Sequence, residues 1–173
     1  MIPESPSPDR PADVVIRRAT RADLPAIGRL GALLVQTHHD FDPRRFIAAT
    51  RQTEQGYASY LGSQLQEPTV VVLVAVQAEQ VVGYTYAGLE GQDWMALRGP
   101  AGALYDIIVD PARRGHGVGR MLLDATVARL KSLGAPQLVL STAYGNEPAQ
   151  RLFTRAGFRR TMIEMTRDLD DGE

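Results

Sequence analysis

The sequence contains no cysteine in 173 residues. That absence removes disulfides, thiolate metal ligands and a cysteine nucleophile from consideration. There is also no excess of either charge: 19 Lys and Arg stand against 20 Asp and Glu, for a formal net charge of -1. Nucleic-acid surfaces are normally basic, so no nucleic-acid partner is expected. No run of residues approaches the ~18 consecutive apolar positions of a membrane span. The start of the chain lacks the basic stretch and apolar core of a signal peptide. A cytoplasmic protein with no membrane partner is therefore expected. No internal repeat is present.

What is there reads as one α/β domain, a length at which a core is stable without staples. Residues 1–12 carry Pro3, Pro6, Pro8 and Pro11 among Ser, Asp and Glu, and are expected to be a disordered leader. The domain proper spans 13–169, and the acidic end at 170–173 is expected to fray. Val14 to Arg18 reads as a strand. Thr20 is placed to cap a helix from Ala22 to Gln36, with Asp23 at the capping-box position and Pro25 in the first turn. A polar connection from His38 to Arg44 follows, then a second helical region from Phe46 to Leu65, broken near Gly56 or Gly62. Thr69 to Val76 is almost wholly apolar or β-branched, the pattern of a strand buried on both faces. A polar turn at 77–80 returns the chain along Val81 to Ala87, and Glu90 to Gly102 reads as a loop. Another strand runs from about Ala103 to Val109. A helix from Val118 to Leu133 carries Leu123, Val127 and Leu130 at helical spacing and is closed by Gly134. Gln137 to Thr142 is a strand, Pro148 to Ala156 a short helix, and Arg160 to Arg167 a last strand.

The chemistry-bearing feature is the turn Asp110-Pro111-Ala112-Arg113-Arg114-Gly115-His116-Gly117-Val118-Gly119, set between a strand and a helix. Glycines let the backbone curl so that several N–H groups converge on one point. That point lies at a helix N-terminus, where the dipole favours an anion. Arg113, Arg114 and Arg120 add positive charge beside it, and the whole suits a pyrophosphate. A Walker A loop would need a lysine that is missing here. A dinucleotide fingerprint would need its third glycine one residue later than Gly119. A glycine-rich turn without a ligand is the competing reading.

Arg-x-x-Gly-x-Gly after an apolar strand ending in Val-Asp-Pro resembles the acetyl-CoA motif of the GCN5-related N-acetyltransferase (GNAT) superfamily. Arg114, Gly117 and Gly119 occupy its fixed positions, and Asn146-Glu147-Pro148-Ala149-Gln150-Arg151-Leu152-Phe153 with Gly157-Phe158 resembles a second block of that family. The resemblance implies a mixed, mostly antiparallel central sheet with splayed central strands and flanking helices. It implies acetyl-CoA as co-substrate, gripped by Arg114, Gly115, His116, Gly117, Val118, Gly119 and Arg120. By the same resemblance, backbone groups of Ile107, Ile108 and Val109 would hold the pantetheine arm. Asn146 would touch that arm or cap a helix, and Phe153 stands where the family usually carries a thiolate-protonating tyrosine.

Such a reaction needs a neutral amine, a donor to the developing oxyanion and a proton for the leaving thiolate. An amine with a pKa near ~10 must lose its proton to a base or a water chain. Asp106 interrupts the apolar run Leu104 to Val109, and a carboxylate there is costly unless paired or functional. It is read as the base, or as a group that only positions a neighbouring loop. Glu90 and Asp93 are weaker candidates for binding the substrate, with a solvated loop as the alternative. Tyr144 is a substitute acid, or a tyrosine packed at a strand end. His38, His39 and Asp40 lack further ligands, so no metal is expected; they line the acceptor pocket or are ordinary loop polarity. The Arg17-Arg18 and Arg159-Arg160 pairs read as solvated strand ends.

The leading expectation is acetylation of a small-molecule primary amine by direct transfer: a polyamine, an amino-acid-like amine or an aminoglycoside. Acetylation of a protein or peptide amine, and a non-catalytic acyl-CoA sensor, are the alternatives. A homodimer is expected from the family's habit and from the alternating segment Thr161 to Thr166, which could pair at a sheet edge.

Overall fold

The computed structural model describes residues 13–169; the expected leader (1–12) and tail (170–173) lie outside the described residues. Five strands form one sheet in the order β1-β2-β3-β4-β5, antiparallel except for the β4–β5 pair. They are β1 (Val15–Arg18), β2 (Val70–Gln77), β3 (Gln80–Glu90), β4 (Ala101–Val109) and β5 (Leu138–Leu140). Helices α1 (Leu24–Phe41) and α2 (Thr53–Gln64) precede β2, α3 (Val118–Ser132) links β4 to β5, and α4 (Glu147–Arg155) follows β5. The mixed sheet with flanking helices is the architecture the sequence implied.

Alternation along β2 divides the core. Val71, Leu73 and Ala75 join Leu104, Val118, Leu122, Leu123, Leu130 and Phe153 on the α3 side. Val72 and Val74 join Ile27, Leu30, Leu61, Tyr84 and Ile108 on the α1–α2 side. A strand apolar from Val70 to Val76 serves both layers, as a period of two requires. The β2–β3 hairpin turns on Ala78 and Glu79, both at positive φ (46° and 62°), the handedness that two-residue hairpins need.

The expected capping pair at the start of α1 is present but does more than cap. The Thr20 backbone N–H and hydroxyl both donate to the Asp23 carboxylate, at 2.7 and 3.0 Å. Arg17 donates to both Asp23 oxygens at 2.8 and 2.9 Å, so it is an ion-pair partner and not a solvated strand end. Asp23 is only 6% exposed, and the arginine beside it lowers its pKa to about 2.

Three expectations need correction. The helix does not stop at Gln36: α1 continues through His38, His39 and Asp40 to Phe41. Thr37 and the His38 ring bond back to the carbonyls of Leu33 and Leu34 at 2.7 and 2.9 Å, so these polar side chains close on the helix and do not unwind it. The second helix is unbroken at Gly56 and Gly62. The glycines that matter for its packing sit in α1. A Cβ on Gly28 would fall 2.4 Å from the Glu54 carbonyl oxygen, and one on Gly31 2.3 Å from the Tyr57 ring. Finally, residues 160–167 form no strand. Alternation supplies a strand pattern but no partner: β5 pairs through three residues only, and Met162, Ile163 and Met165 stay 72%, 84% and 90% exposed. Ion pairs Arg45–Glu164 and Arg44–Asp168 fasten this segment to the chain after α1. The edge pairing expected for a dimer rested on that strand and loses its support.

Candidate active site

The site lies where β4 parts from β5. Pairing between them covers only Gly102, Ala103 and Leu104, opposite Leu138, Val139 and Leu140. Beyond Leu104, β4 runs on for five residues without β5 beside it. The Asp110 N–H donates to Val82 of β3 at 2.8 Å. Alternation then turns the backbone of Ile108 to β3 and that of Ile107 and Val109 to the open side. Ile108 is a ladder and core residue; Ile107 and Val109 are the two with backbone polar groups on the opening. The Val109 carbonyl accepts from Arg114 Nε at 3.0 Å, which ties the turn to the splayed strand.

The turn has the conformation its glycines allow. Gly115 and Gly117 are at φ 80° and 78°, in the left-handed region, and Gly117 is the N-cap of α3. The Asp110 carboxylate accepts from the Ala112 N–H at 3.0 Å and fixes the short turn between them. Gly119 sits against Leu152 and Val109, where an added Cβ would make ordinary contacts of 3.5 and 3.7 Å. Val118 is buried beneath the turn, while Arg113, Arg114, His116 and Arg120 are exposed. Arg120 is drawn away from the turn, donating to both oxygens of Asp124 and to the Arg155 carbonyl.

On the α1–α2 side of the same strand, a β-bulge lies opposite Tyr86 and Ala87 of β3, so that Asp106 faces Tyr86 and Leu104 faces Ala87. The extra residue is Tyr105. The bulge brings Tyr105 and Asp106 to one face, where strict alternation would separate them. Asp106 accepts a hydrogen bond from the Tyr84 hydroxyl at 2.9 Å, so its partner is a side chain of β3 and not a loop. Burial raises its pKa to about 6, against the lowering effects of Tyr84 and of nearby His38. The Tyr84 hydroxyl is pushed strongly upward by burial and by the charge of Asp106. Tyr57 of α2, affected by the same charge, is pushed up to about 12, with burial the main cause.

The outer part of this face is aromatic. Tyr60 and Tyr86 meet hydroxyl to hydroxyl at 3.0 Å with their rings edge to face. Tyr86 and Tyr105 have ring centroids 4.8 Å apart. Tyr105 donates to Glu90 at 2.8 Å, and Glu90 pairs with Arg98 at 2.5 Å. Asp93 accepts from the Met95 and Ala96 N–H groups and lies 3.7 Å from Arg98. Glu90 and Asp93 therefore share Arg98, whose single positive charge offsets one of the two carboxylates. The remaining candidates lie on the α4 side. Asn146 caps α4, accepting from the Ala149 N–H at 3.2 Å. Phe153 is buried edge to face with Phe158, and Tyr144 is 98% exposed.

Sequence reasoning missed the tyrosines of α2 and β3 and left His38 in a loop. Tyr84 and Tyr86, two residues apart in a strand that pairs with the Asp106 segment, were a usable signal once the hairpin register was known.

A strand that parts from its neighbour and runs into a glycine turn at a helix N-terminus offers converging backbone N–H groups to an anion such as a pyrophosphate. Residues 34–158 match the model of the Acetyltransferase (GNAT) family. The chain belongs to that family. Among relatives, the mycothiol acetyltransferase of Thermobispora bispora is 36% identical over 96 residues, 53% of this chain; the match covers 31% of that relative's length. A crystal structure of a mutant Bacillus halodurans protein superposes with a TM-score of 0.76 at 24% identity, covering 90% of this chain and 99% of that one. The aminoglycoside N-acetyltransferase AAC(6')-Iy in complex with CoA superposes with a TM-score of 0.70 at 17% identity, covering 98% and 99%. These two likenesses establish the fold. No helix among the described residues is long and apolar enough to cross a membrane.

Proposed function

We propose that the chain acetylates the primary amine of a small molecule by direct transfer, with Asp106 accepting the amine's proton. The observation that carries this reading is Asp106 itself: a carboxylate on the splayed part of β4, held by Tyr84, with its pKa raised to about 6. A base of that strength is ionised at neutral pH and still basic enough to assist deprotonation of an amine. In the reaction the amine nitrogen bonds to the thioester carbonyl carbon, the C–S bond breaks, and CoA leaves as thiolate. The backbone N–H groups of Ile107 and Val109, on the open side of β4, are suited to hold the pantetheine arm and the developing oxyanion. The turn from Arg114 to Gly119 receives the pyrophosphate. A thiol pKa near ~8.5 lets the thiolate leave without a dedicated acid, consistent with Phe153 in place of a tyrosine. The names of a mycothiol acetyltransferase and an aminoglycoside N-acetyltransferase support a small-molecule acceptor, and the second supports acetylation at nitrogen.

Measuring CoA release with a panel of amines, both substrates varied, tests the reading. Intersecting double-reciprocal lines are expected. Parallel lines with a trapped acetyl-protein adduct would overturn direct transfer, and no turnover of any small amine would overturn the substrate class. In Gly117→Val the left-handed backbone is strained and the approach to the turn is blocked, so acetyl-CoA affinity should fall at least ~100-fold. Unchanged calorimetric affinity would remove the pyrophosphate from this turn.

A further inference from the structure

We propose that the wall formed by Tyr60, Tyr86 and Tyr105 sets acceptor specificity, selecting a primary amine carried on an aromatic body over a polyamine. This rests on the reading of the Asp106 face as the acceptor site. The three rings form a continuous surface, edge to face between Tyr60 and Tyr86 and 4.8 Å between the centroids of Tyr86 and Tyr105. It is open to solvent: Tyr60 is 53% and Tyr105 44% exposed. The hydroxyls are engaged with one another and with Glu90, so what the wall offers a ligand is ring faces.

Charge narrows the choice further. Glu90 is taken by Arg98 and Tyr105, and Asp93 by Arg98 and two backbone N–H groups. Asp106 is the carboxylate on this face whose described partner is a neutral hydroxyl, and the basic side chain acting on it is His38. One carboxylate matches one ammonium. A second or third ammonium on a polyamine would meet the rings through cation–π attraction alone, because the one unit of negative charge left in the Glu90–Asp93–Arg98 cluster is already engaged by Tyr105 and two backbone N–H groups. An aromatic body gains more, because it stacks on the rings over a larger area while its single amine reaches Asp106.

The test compares 2-phenylethylamine, ethanolamine and spermidine as acceptors for the full chain with saturating acetyl-CoA. We expect kcat/KM for 2-phenylethylamine to exceed both others by roughly 10-fold or more, about what one aromatic stacking contact supplies. Tyr86→Ala should raise its KM by roughly 10-fold with kcat changed less than about twofold, while KM for ethanolamine stays put. Tyr86→Phe should retain the wild-type KM. Tyr105→Ala, at a more exposed position, carries the same test should Tyr86→Ala fail to fold, and acetyl-CoA affinity reports folding of each variant. Spermidine or ethanolamine used as well as 2-phenylethylamine would overturn the wall's role and leave the small-molecule function standing. An equal rise in KM for all three amines would overturn it too. No turnover of any of them would overturn both readings.

Discussion

Asp23 and Asp106 are both carboxylates withdrawn from water, and they are held in opposite ways. Asp23 receives a bidentate arginine, a backbone N–H and a hydroxyl, and its pKa is lowered to about 2. Asp106 receives one tyrosine hydroxyl, and burial raises its pKa to about 6. The first is fully satisfied and fixes the entry into α1. The second is left under-satisfied in a strand whose neighbours are apolar. Sites of chemistry are where such a cost is commonly met, so the contrast supports the proposal that Asp106, and not Asp23, serves as the base.

The contrast breaks most sharply in the rate. Asp106→Asn should lower kcat by ~100-fold or more, the usual range for lost acid–base catalysis, and leave acetyl-CoA affinity nearly intact. Asp23→Asn should leave kcat close to wild type. A fully active Asp106→Asn, in initial-rate assays at saturating substrates, would remove Asp106 as the base and direct attention to Glu90, Asp93 or a water chain.

Stability should move the other way. The folded pKa of Asp106 lies above the ~3.9 of an unfolded aspartate, so folding favours its protonated form. Its penalty is absent below about pH 4, grows between pH 4 and 6, and is complete above that. Asp106→Asn should therefore stabilise the protein at pH 8, by about 1–3 kcal/mol. Asp23 has a folded pKa below its unfolded one. Its contribution is present above about pH 4 and is lost as pH falls toward 2. Asp23→Asn should destabilise by about 2 kcal/mol at pH 8 through the lost cap and ion pair. Urea unfolding of both variants at pH 8 measures the pair, and shifts of the same sign would dissolve the distinction.

The smallest effect is on the pH profile. The acid limb of kcat/KM should fall near pH 6. Tyr84→Phe removes the hydrogen bond that restrains the Asp106 shift, so the limb should move to higher pH by up to about one unit. A limb that stays in place would mean that some other group titrates there.

The two carboxylates also differed in how easily they were read. Asp23 was legible from Thr20 three residues before it, and the glycine turn from spacing within six residues, because both depend on local backbone geometry. Asp106 was legible as the lone charge in an apolar run. Its surroundings were not. Tyr84 and Tyr86 come to it through the β3–β4 register and the bulge at Tyr105, and Tyr57 and Tyr60 through the packing of α2 on the sheet. The end of α1 was misread because Thr37, His38 and Asp40 look like a loop until their bonds back to the helix are counted. The C-terminal strand was misread because alternation records which faces differ, not whether an edge is there to receive them.

The missing methyl groups at Gly28 and Gly31 act as a gauge for a distant aperture. They let α2 lie against the α1 backbone, at Glu54 and Tyr57, within two turns of Tyr60. A methyl at either position would drive α2 outward and carry Tyr60 away from Tyr86, whose hydroxyls now meet at 3.0 Å. The width of the proposed acceptor mouth is thus written in helix spacing. It can be retuned by residues outside that mouth, while the glycine turn proposed to hold the acyl carrier stays unchanged.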